Sequence, residues 1–138
     1  MKKKLNCILL IDDNPDDNFY HKRVIKKTNC CNNIVAIESA LEALDFIKAK
    51  PEHPETHPDL IFLDINMPGM NGWEFLEEYN KLEINLQSRV VVVMLTTSQN
   101  PDDRNKAKAL NIISEFETKP LENESLERIL KQLFADYF

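Results

Sequence analysis

Short apolar runs alternate along the chain with segments whose apolar residues recur at helical spacing. The runs that we interpret as strands cover residues 7–11, 34–37, 60–63 and 90–95, with a fifth strand near 115–118. They are too short for helices, and unbroken apolar strands are typical of parallel sheets that are buried on both faces. The fourth run is β-branched and uninterrupted, which predicts an interior strand.

Two helix starts are nearly identical. Asn14 and Asn100 each precede a proline and two aspartates. An asparagine cap, a proline in the first turn and acids near the positive end of the helix dipole all favour a helix N-terminus. The pattern predicts one helix over residues 15–28 and another from 101 to about 110. The second of these is polar, so we expect it to be loosely held.

The remaining helices are defined by their apolar faces. Ser39 and Glu42 fit a capping box that opens the second helix, and Leu41, Leu44 and Ile47 should form its buried face. The third helix, over residues 73–79, offers as core contacts Phe75, Leu76 and Tyr79. The last helix carries the most regular apolar stripe, formed by Leu126, Ile129, Leu130, Leu133, Phe134 and Tyr137.

Strands that alternate with helices predict an α/β fold, a doubly wound five-stranded parallel sheet with helices on both faces. In the flavodoxin-like order 2-1-3-4-5, strands one and three are neighbours, and ligands bind at the carboxyl ends of the strands. Asp12 and Asp13 follow strand one and Asp64 follows strand three, so we expect these three carboxylates to converge. Thr96 and Lys119 follow strands four and five at the same edge.

Composition excludes several classes of protein. A chain of 138 residues has the length of one domain, and we expect a single domain over residues 1–138. The net charge of -6 argues against general nucleic-acid binding. No apolar run approaches membrane-spanning length, and the one that follows the basic start ends at Asp12, too soon for a signal peptide. We therefore expect a cytoplasmic protein that binds neither nucleic acid nor membrane.

The predicted convergence of three acids calls for a chemical reason. Two carboxylates about 4 to 5 Å apart repel by roughly 3 to 4 kcal/mol at an effective dielectric constant near 20. An aspartate that caps the loop is the simpler interpretation of Asp64 alone. For all three acids a divalent cation is the simplest reason, and hard oxygen ligands suit Mg²⁺. With Lys119 and the Thr96 hydroxyl opposite, the set is what phosphoryl transfer to an aspartate requires.

These residues also carry a family resemblance. The matching motifs are Asp12-Asp13, Asp64 with Met67-Pro68-Gly69 and Asn71-Gly72, Thr96, and Lys119-Pro120. With them the chain resembles the receiver domain of two-component response regulators, in particular the single-domain chemotaxis type. The resemblance covers nearly the whole chain and implies a phosphorylation-dependent signalling switch. It implies a phosphoacceptor that slowly dephosphorylates itself, and not an enzyme.

The resemblance also assigns roles to individual residues. Asp64 would accept a phosphoryl group from a histidine kinase or a histidine phosphotransfer protein. Asp13, Asp64 and the backbone carbonyl of Asn66 would hold Mg²⁺, with Asp12 acting through water. The residues that would bind the phosphoryl oxygens are Thr96 and Lys119, and the conformational switch would comprise Thr96 and Phe116.

Three positions depart from the usual pattern of the family. Thr97 stands where a small residue is frequent, which could narrow the approach to the phosphoryl group. Glu117 occupies a usually aliphatic position of strand five, so that strand is expected to be short or shifted in register. Ala40 replaces a frequent glycine, with little expected effect.

Two other functions compete with the switch. An aspartate-nucleophile phosphohydrolase also forms an aspartyl phosphate, but it needs a second aspartate two residues after the nucleophile as general acid and base. Here that residue is Asn66, which cannot transfer the proton. A pseudo-receiver that binds partners without phosphorylation usually lacks an acid, the hydroxyl or the lysine, and this chain has all of them.

We expect no effector domain, and therefore an unknown output protein that reads the phosphorylated surface. The best candidate is the surface of helix four, strand five and helix five. Its mixed charges suit a symmetric homodimer, with a solvated face as the alternative. Helix one carries the most basic segment, a solvated face or a docking surface for an acidic partner, formed by His21, Lys22, Arg23, Lys26 and Lys27.

Overall fold

The computed structural model describes residues 4–49, 57–82, 91–97, 100–110 and 113–136. The strands in these ranges are β1 (Leu5–Ile11), β2 (Cys31–Ile37), β3 (Leu60–Leu63), β4 (Val91–Thr96) and β5 (Ile113–Thr118). The helices are α1 (Pro15–Thr28), α2 (Ala40–Lys48), α3 (Gly72–Tyr79), α4 (Pro101–Ala109) and α5 (Asn123–Leu133). Each strand pair is parallel, and the order is β2-β1-β3-β4-β5. The predicted fold class is confirmed.

The sheet separates two apolar layers because successive side chains of a strand point to opposite faces. On β3, Ile61 and Leu63 face one layer, and Leu60 and Phe62 face the other. Helices α2 and α3 cover the first layer, and α1 and α5 cover the second. With both faces covered, the interior strands are almost wholly apolar, as the sequence indicated.

Asparagine side chains cap the starts of α1 and α4, as predicted. The Asn14 side chain accepts hydrogen bonds from the backbone N–H groups of Asp16 and Asp17, and the Asn100 side chain accepts one from Asp102. Helix α1 has the predicted bounds, and α4 ends at Ala109, one residue before the predicted end. These ends follow the sequence because capping is local chemistry.

The predicted buried face of α2 was wrong at one position. Leu41 is 59% exposed, and the buried residues of the helix are Ala40, Ala43, Leu44 and Ile47. These four positions form one helical stripe that starts at Ala40, so Leu41 lies about 100° away from its first member. The small alanines let α2 approach the sheet closely, which the search for large apolar residues missed.

Helix α1 packs through polar side chains as well as apolar ones. Phe19 is 65% exposed, and the buried residues of the helix are Asn18, His21 and Ile25. Asn18 donates a hydrogen bond from its side-chain amide to the backbone carbonyl of Asp12, at 2.8 Å. The expectation that His21 forms part of the basic surface was therefore wrong. The neighbouring cation at Arg23 does lie on the exposed side.

Strand β5 is longer than predicted, and its pairing is irregular. Val92 pairs with Ile113 and Val93 pairs with Glu115, so Ser114 is an extra residue in the ladder. The half-buried Glu117 hydrogen-bonds to Arg128 of α5. Of the two expected effects at this strand, the irregular register is present and a short strand is not.

Two predicted positions, Val90 and Tyr137, lie outside the described residues. Within the described segments, no helix is both long and apolar enough to cross a bilayer.

Candidate functional site

Two aspartates lie side by side where β1 and β3 end. The Asp12 N–H donates to the Ile37 carbonyl of β2 at 3.1 Å, and the Asp64 N–H donates to the Ile11 carbonyl at 3.0 Å. These bonds extend the parallel ladder by one residue beyond each strand. Both aspartates are only 5% exposed, so the sheet fixes their backbones and buries their carboxylates.

Asp12, Asp13 and Asp64 form a compact group that we call the acidic cluster. One carboxylate oxygen from each lies within 4.8 Å of the other two. Asp64 Oδ1 is buried and accepts no hydrogen bond from the described residues. A buried carboxylate oxygen without a protein partner is costly, because desolvation of a charged oxygen is not offset by a protein hydrogen bond. Oxygen donors with an open coordination position fit a hard divalent cation such as Mg²⁺.

The Asp12 carboxylate is held from the start of α1. Its Oδ1 accepts a hydrogen bond from the Asn14 N–H at 3.0 Å, and Asn18 binds the Asp12 carbonyl. Asn14 also caps α1, so one residue links the helix start to the acidic cluster. The geometry of the cluster is therefore set by the β1–α1 turn as well as by the sheet.

The side chain of Lys119 reaches this cluster from β5. Its Nζ lies 2.5 Å from Asp12 Oδ2, 2.9 Å from Asp17 Oδ2 and 3.6 Å from Asp64 Oδ2. The side chain is 8% exposed. The Lys119 N–H donates to the Thr96 carbonyl at 2.9 Å, which fixes the lysine at the end of the sheet. The ammonium group partly neutralises the acids.

Burial and charge shift both ionisable groups in this contact. Burial raises the pKa of Asp64, the Lys119 ammonium lowers it, Asp12 raises it, and the net result is a raised pKa. Burial alone would lower the pKa of Lys119, but its hydrogen bonds to Asp12 and Asp17 outweigh burial and raise that pKa. Lys119 thus stays a cation, while ionised Asp64 is destabilised by its surroundings.

Thr96 completes the site from β4. It is fully buried, pairs with Thr118 across the sheet, and forms a side-chain hydrogen bond with Asp64 that favours the charged carboxylate. The next residue, Thr97, is exposed. Lysine and hydroxyl therefore lie at the same carboxylate, as the strand order predicted.

Asn66 lies in the loop between β3 and α3 and is exposed. This loop is held by Gly72, whose N–H donates to the Ile65 carbonyl at 2.8 Å. Asn71 and Glu74 form a reciprocal capping box at the start of α3. Hydrogen bonds thus fix the loop after Asp64 where it leads into α3.

Phe116 lies on β5, apart from the acidic cluster. It is half-buried and packs against the apolar layer beneath α2 and α3. The Arg104 guanidinium of α4 lies 4.7 Å from the centre of its ring, close enough for a cation–π contact. Phe116 therefore connects β5 to α4, two of the three elements predicted to carry the output surface.

Sequence reasoning missed Asp17 as a site residue. Asp17 was interpreted only as a negative charge that favours the helix N-terminus. The structure brings its carboxylate within hydrogen-bonding distance of Lys119. The sequence offered no local signal for this role, because Asp16 and Asp17 lie next to each other in the first turn of α1.

Comparison with known proteins gives one consistent family. Residues 8–131 match the profile of the response regulator receiver domain. The response regulator Rcp1 of Synechocystis sp. is 35% identical over 97 residues, which cover 70% of this chain and 65% of that protein. The chain spans about half the length of several other curated relatives that it matches.

Solved structures agree with this match. A two-component response regulator from Cytophaga hutchinsonii superposes with a TM-score of 0.88 at 28% identity, covering 96% of this chain and 99% of that one. The phosphorylated cyanobacterial phytochrome response regulator RcpA superposes with a TM-score of 0.72 at 27% identity, covering 95% and 92%. The similarity thus extends along nearly the whole described fold.

Proposed function

Because this chain belongs to the response regulator receiver domain family, whose members are phosphorylation-based signalling switches, we propose that Asp64 is its phosphoacceptor. The observation that carries the proposal is the buried Asp64 oxygen, which accepts no hydrogen bond from the part of the chain that the structure describes and lies in a cluster of acids next to a lysine. A carboxylate that is poorly stabilised in its resting state is a suitable nucleophile once a phosphoryl donor is bound.

The acidic cluster is proposed to hold Mg²⁺ through Asp13, Asp64 and the backbone carbonyl of Asn66, with Asp12 acting through water. When bound, the cation would offset charge on the transferring phosphoryl group. The family generally binds Mg²⁺ at such an acidic pocket. The donor set supports the assignment because carboxylate and carbonyl oxygens are the ligands that this ion prefers.

Lys119 and Thr96 are proposed to bind the phosphoryl oxygens. Lys119 stays protonated and contributes a positive charge, and the Thr96 hydroxyl can donate a hydrogen bond. Both already contact the Asp64 carboxylate, so they need little rearrangement to bind charge that develops there. Together they would orient the phosphoryl group and stabilise the phosphorylated state.

The two competing functions find less support. Asn66 is exposed and has no carboxyl group, so it cannot supply the proton transfer of a phosphohydrolase. A switch without phosphorylation would not need a buried, unpartnered phosphoacceptor oxygen next to a lysine.

The phosphoryl donor is proposed to be a histidine kinase or a histidine phosphotransfer protein, since response regulators receive phosphate from histidine kinases. The output is proposed to travel through Thr96 and Phe116 to the surface of α4, β5 and α5, which would control a partner protein or a second copy of the chain. The contact between Phe116 and Arg104 supports this route, because an inward turn of the ring would break it.

Acetyl phosphate with Mg²⁺ tests the proposal directly. In the reaction the bond between phosphorus and the acetyl oxygen breaks, a phosphorus–oxygen bond to Asp64 forms, and acetate leaves. Intact mass should show one added phosphoryl group on the wild-type chain and none on Asp64→Asn. Asp45→Asn is the matched control, since Asp45 is an exposed acid on α2 and its substitution should leave labelling unchanged. Stoichiometric labelling of Asp64→Asn would refute the assignment.

A further inference from the structure

Lys119 is shared among three carboxylates, and the proposed phosphoacceptor is the farthest of them. The Lys119 Nζ is 2.5 Å from Asp12 Oδ2, 2.9 Å from Asp17 Oδ2 and 3.6 Å from Asp64 Oδ2. The first two distances are those of charge-assisted hydrogen bonds, and the third is longer than such a bond. In the resting structure the lysine is therefore held mainly by residues other than Asp64.

Asp17 differs from the other two carboxylates in its place in the fold. It lies in the first turn of α1, outside the acidic cluster, and its side chain is 36% exposed. Its backbone N–H is bound by the Asn14 side chain at 3.2 Å. The Asp17 carboxylate thus approaches Lys119 from the helix, on the solvent side of the site.

A second contact keeps this end of α1 close to the segment that follows Lys119. The Tyr20 hydroxyl lies 2.9 Å from both carboxylate oxygens of Glu122. Tyr20 lies three residues after Asp17 on α1, and Glu122 lies in the segment between Lys119 and α5. A second side-chain contact therefore joins α1 to the segment that follows Lys119.

A phosphoryl group on Asp64 would add hydrogen-bond acceptors that compete for the Lys119 ammonium. An ammonium group has three N–H donors, and a phosphoryl group adds strongly accepting oxygens near Asp64. Two of these donors are taken up by Asp12 and Asp17, which hold the ammonium 3.6 Å from Asp64. A phosphoryl group can therefore bind only the third donor unless the lysine weakens one of these two contacts. Removing Asp12 would also alter the acidic cluster, whereas removing Asp17 would release the lysine and leave the three acids in place.

From this geometry we propose that Asp17 is a positioning residue, one that restrains Lys119 and so limits how readily the lysine engages a phosphoryl group on Asp64. The inference rests on the proposed function of Asp64 and Lys119. Asp17 acts through the lysine and does not itself contact the reacting atoms. It therefore adjusts the balance between the resting and the phosphorylated state.

The test is a comparison of acetyl phosphate titrations with Mg²⁺, followed by intact mass. Asp17→Asn should reach half-labelling at roughly three- to tenfold lower acetyl phosphate, the range expected when one partly exposed charged hydrogen bond is lost. Asp16→Asn is the control, because Asp16 lies in the same helical turn, is exposed, and makes the same charge change without contacting Lys119. Its titration should match that of the wild type.

Two further variants separate positioning from a structural effect. Asp17→Glu keeps a carboxylate, so its acetyl phosphate concentration at half-labelling should lie close to that of the wild type. In a Lys119→Met background, Asp17→Asn should have no additional effect, because its action requires the lysine. A shift that persists without Lys119, or that also appears in Asp16→Asn, would overturn the inference.

The outcomes distinguish this inference from the function on which it rests. If the wild type is labelled, and Asp17→Asn needs the same or a higher acetyl phosphate concentration for half-labelling, only the role of Asp17 is overturned. Failure of the wild type to be labelled overturns the phosphoacceptor assignment, and the role of Asp17 with it.

Discussion

A Cβ atom built on Gly72 would lie 2.5 Å from the backbone carbonyl oxygen of Asp64. The first residue of α3 therefore packs against the backbone of the proposed phosphoacceptor, and only a hydrogen atom fits between them. The same residue donates its N–H to Ile65, so the β3–α3 loop closes tightly behind the site.

We expect Gly72→Ala to destabilise the fold by roughly 1 to 3 kcal/mol, because the clash is with backbone and cannot be relieved by a side-chain rotation. The substitution should also reduce labelling of Asp64, since the backbone carbonyl of Asp64 must move to make room for the new Cβ atom. Urea denaturation and acetyl phosphate labelling measure the two effects.

Gly69→Ala serves as the comparison. Gly69 has a φ of 79° and open space around it, so alanine there costs backbone strain without pressing on Asp64. It should destabilise the fold and leave labelling of the remaining folded protein unchanged. Wild-type stability of Gly72→Ala would contradict the packing argument.

The raised pKa of Asp64 predicts a pH-dependent gain in stability for Asp64→Asn when metal is removed. The folded state binds this proton more tightly than the unfolded state, whose pKa is near the ordinary value of 3.8. The wild type therefore loses stability as pH rises from that value through the raised pKa of the folded state. Asparagine does not titrate, so the variant should melt above the wild type at neutral pH, and this advantage should disappear toward the acid end.

Thermal melts of both proteins in a chelator between about pH 4 and pH 8 measure this difference. Asp45→Asn, at an exposed position of α2, is the control for the loss of one carboxylate. A lower melting temperature for Asp64→Asn at every pH would mean that the carboxylate stabilises the fold.

Asp13→Asn should weaken Mg²⁺ binding by roughly tenfold or more, because a neutral amide replaces one charged oxygen ligand of a hard cation. Calorimetric titration with Mg²⁺ gives the affinity. Asp16→Asn removes the same charge at an exposed position three residues later and should bind Mg²⁺ much like the wild type. Equal affinity of Asp13→Asn and wild type would remove Asp13 from the ligand set.

Beryllofluoride, a mimic of the phosphoryl group, should change hydrogen exchange most strongly around Phe116 and α4. The physical reason is the weak attachment of α4, whose one buried residue within its described range is Ala107, so a turn of the Phe116 ring costs little packing there. Exchange measured with and without the mimic tests the output route. Protection that changes around Asp64 alone, with residues 100–118 unaffected, would contradict it.

The sequence by itself determined the features that depend on local chemistry. Apolar runs ended where the strands end, and asparagine caps set the starts of α1 and α4. The alternation of strands and helices predicted a doubly wound parallel sheet, and the flavodoxin-like strand order assumed for that sheet predicted that Asp12, Asp13 and Asp64 would meet. Each of these inferences uses neighbouring residues, or the parallel alignment that crossover connections impose.

Only the tertiary structure decided which side chains form ion pairs and which are buried. The contact of Asp17 with Lys119 joins residues 102 positions apart, and no local pattern distinguishes Asp17 from Asp16. Burial of His21 and exposure of Leu41 depend on how each helix is rotated against the sheet. That rotation is set by the packing of many side chains at once, so it is absent from the spacing of any single helix.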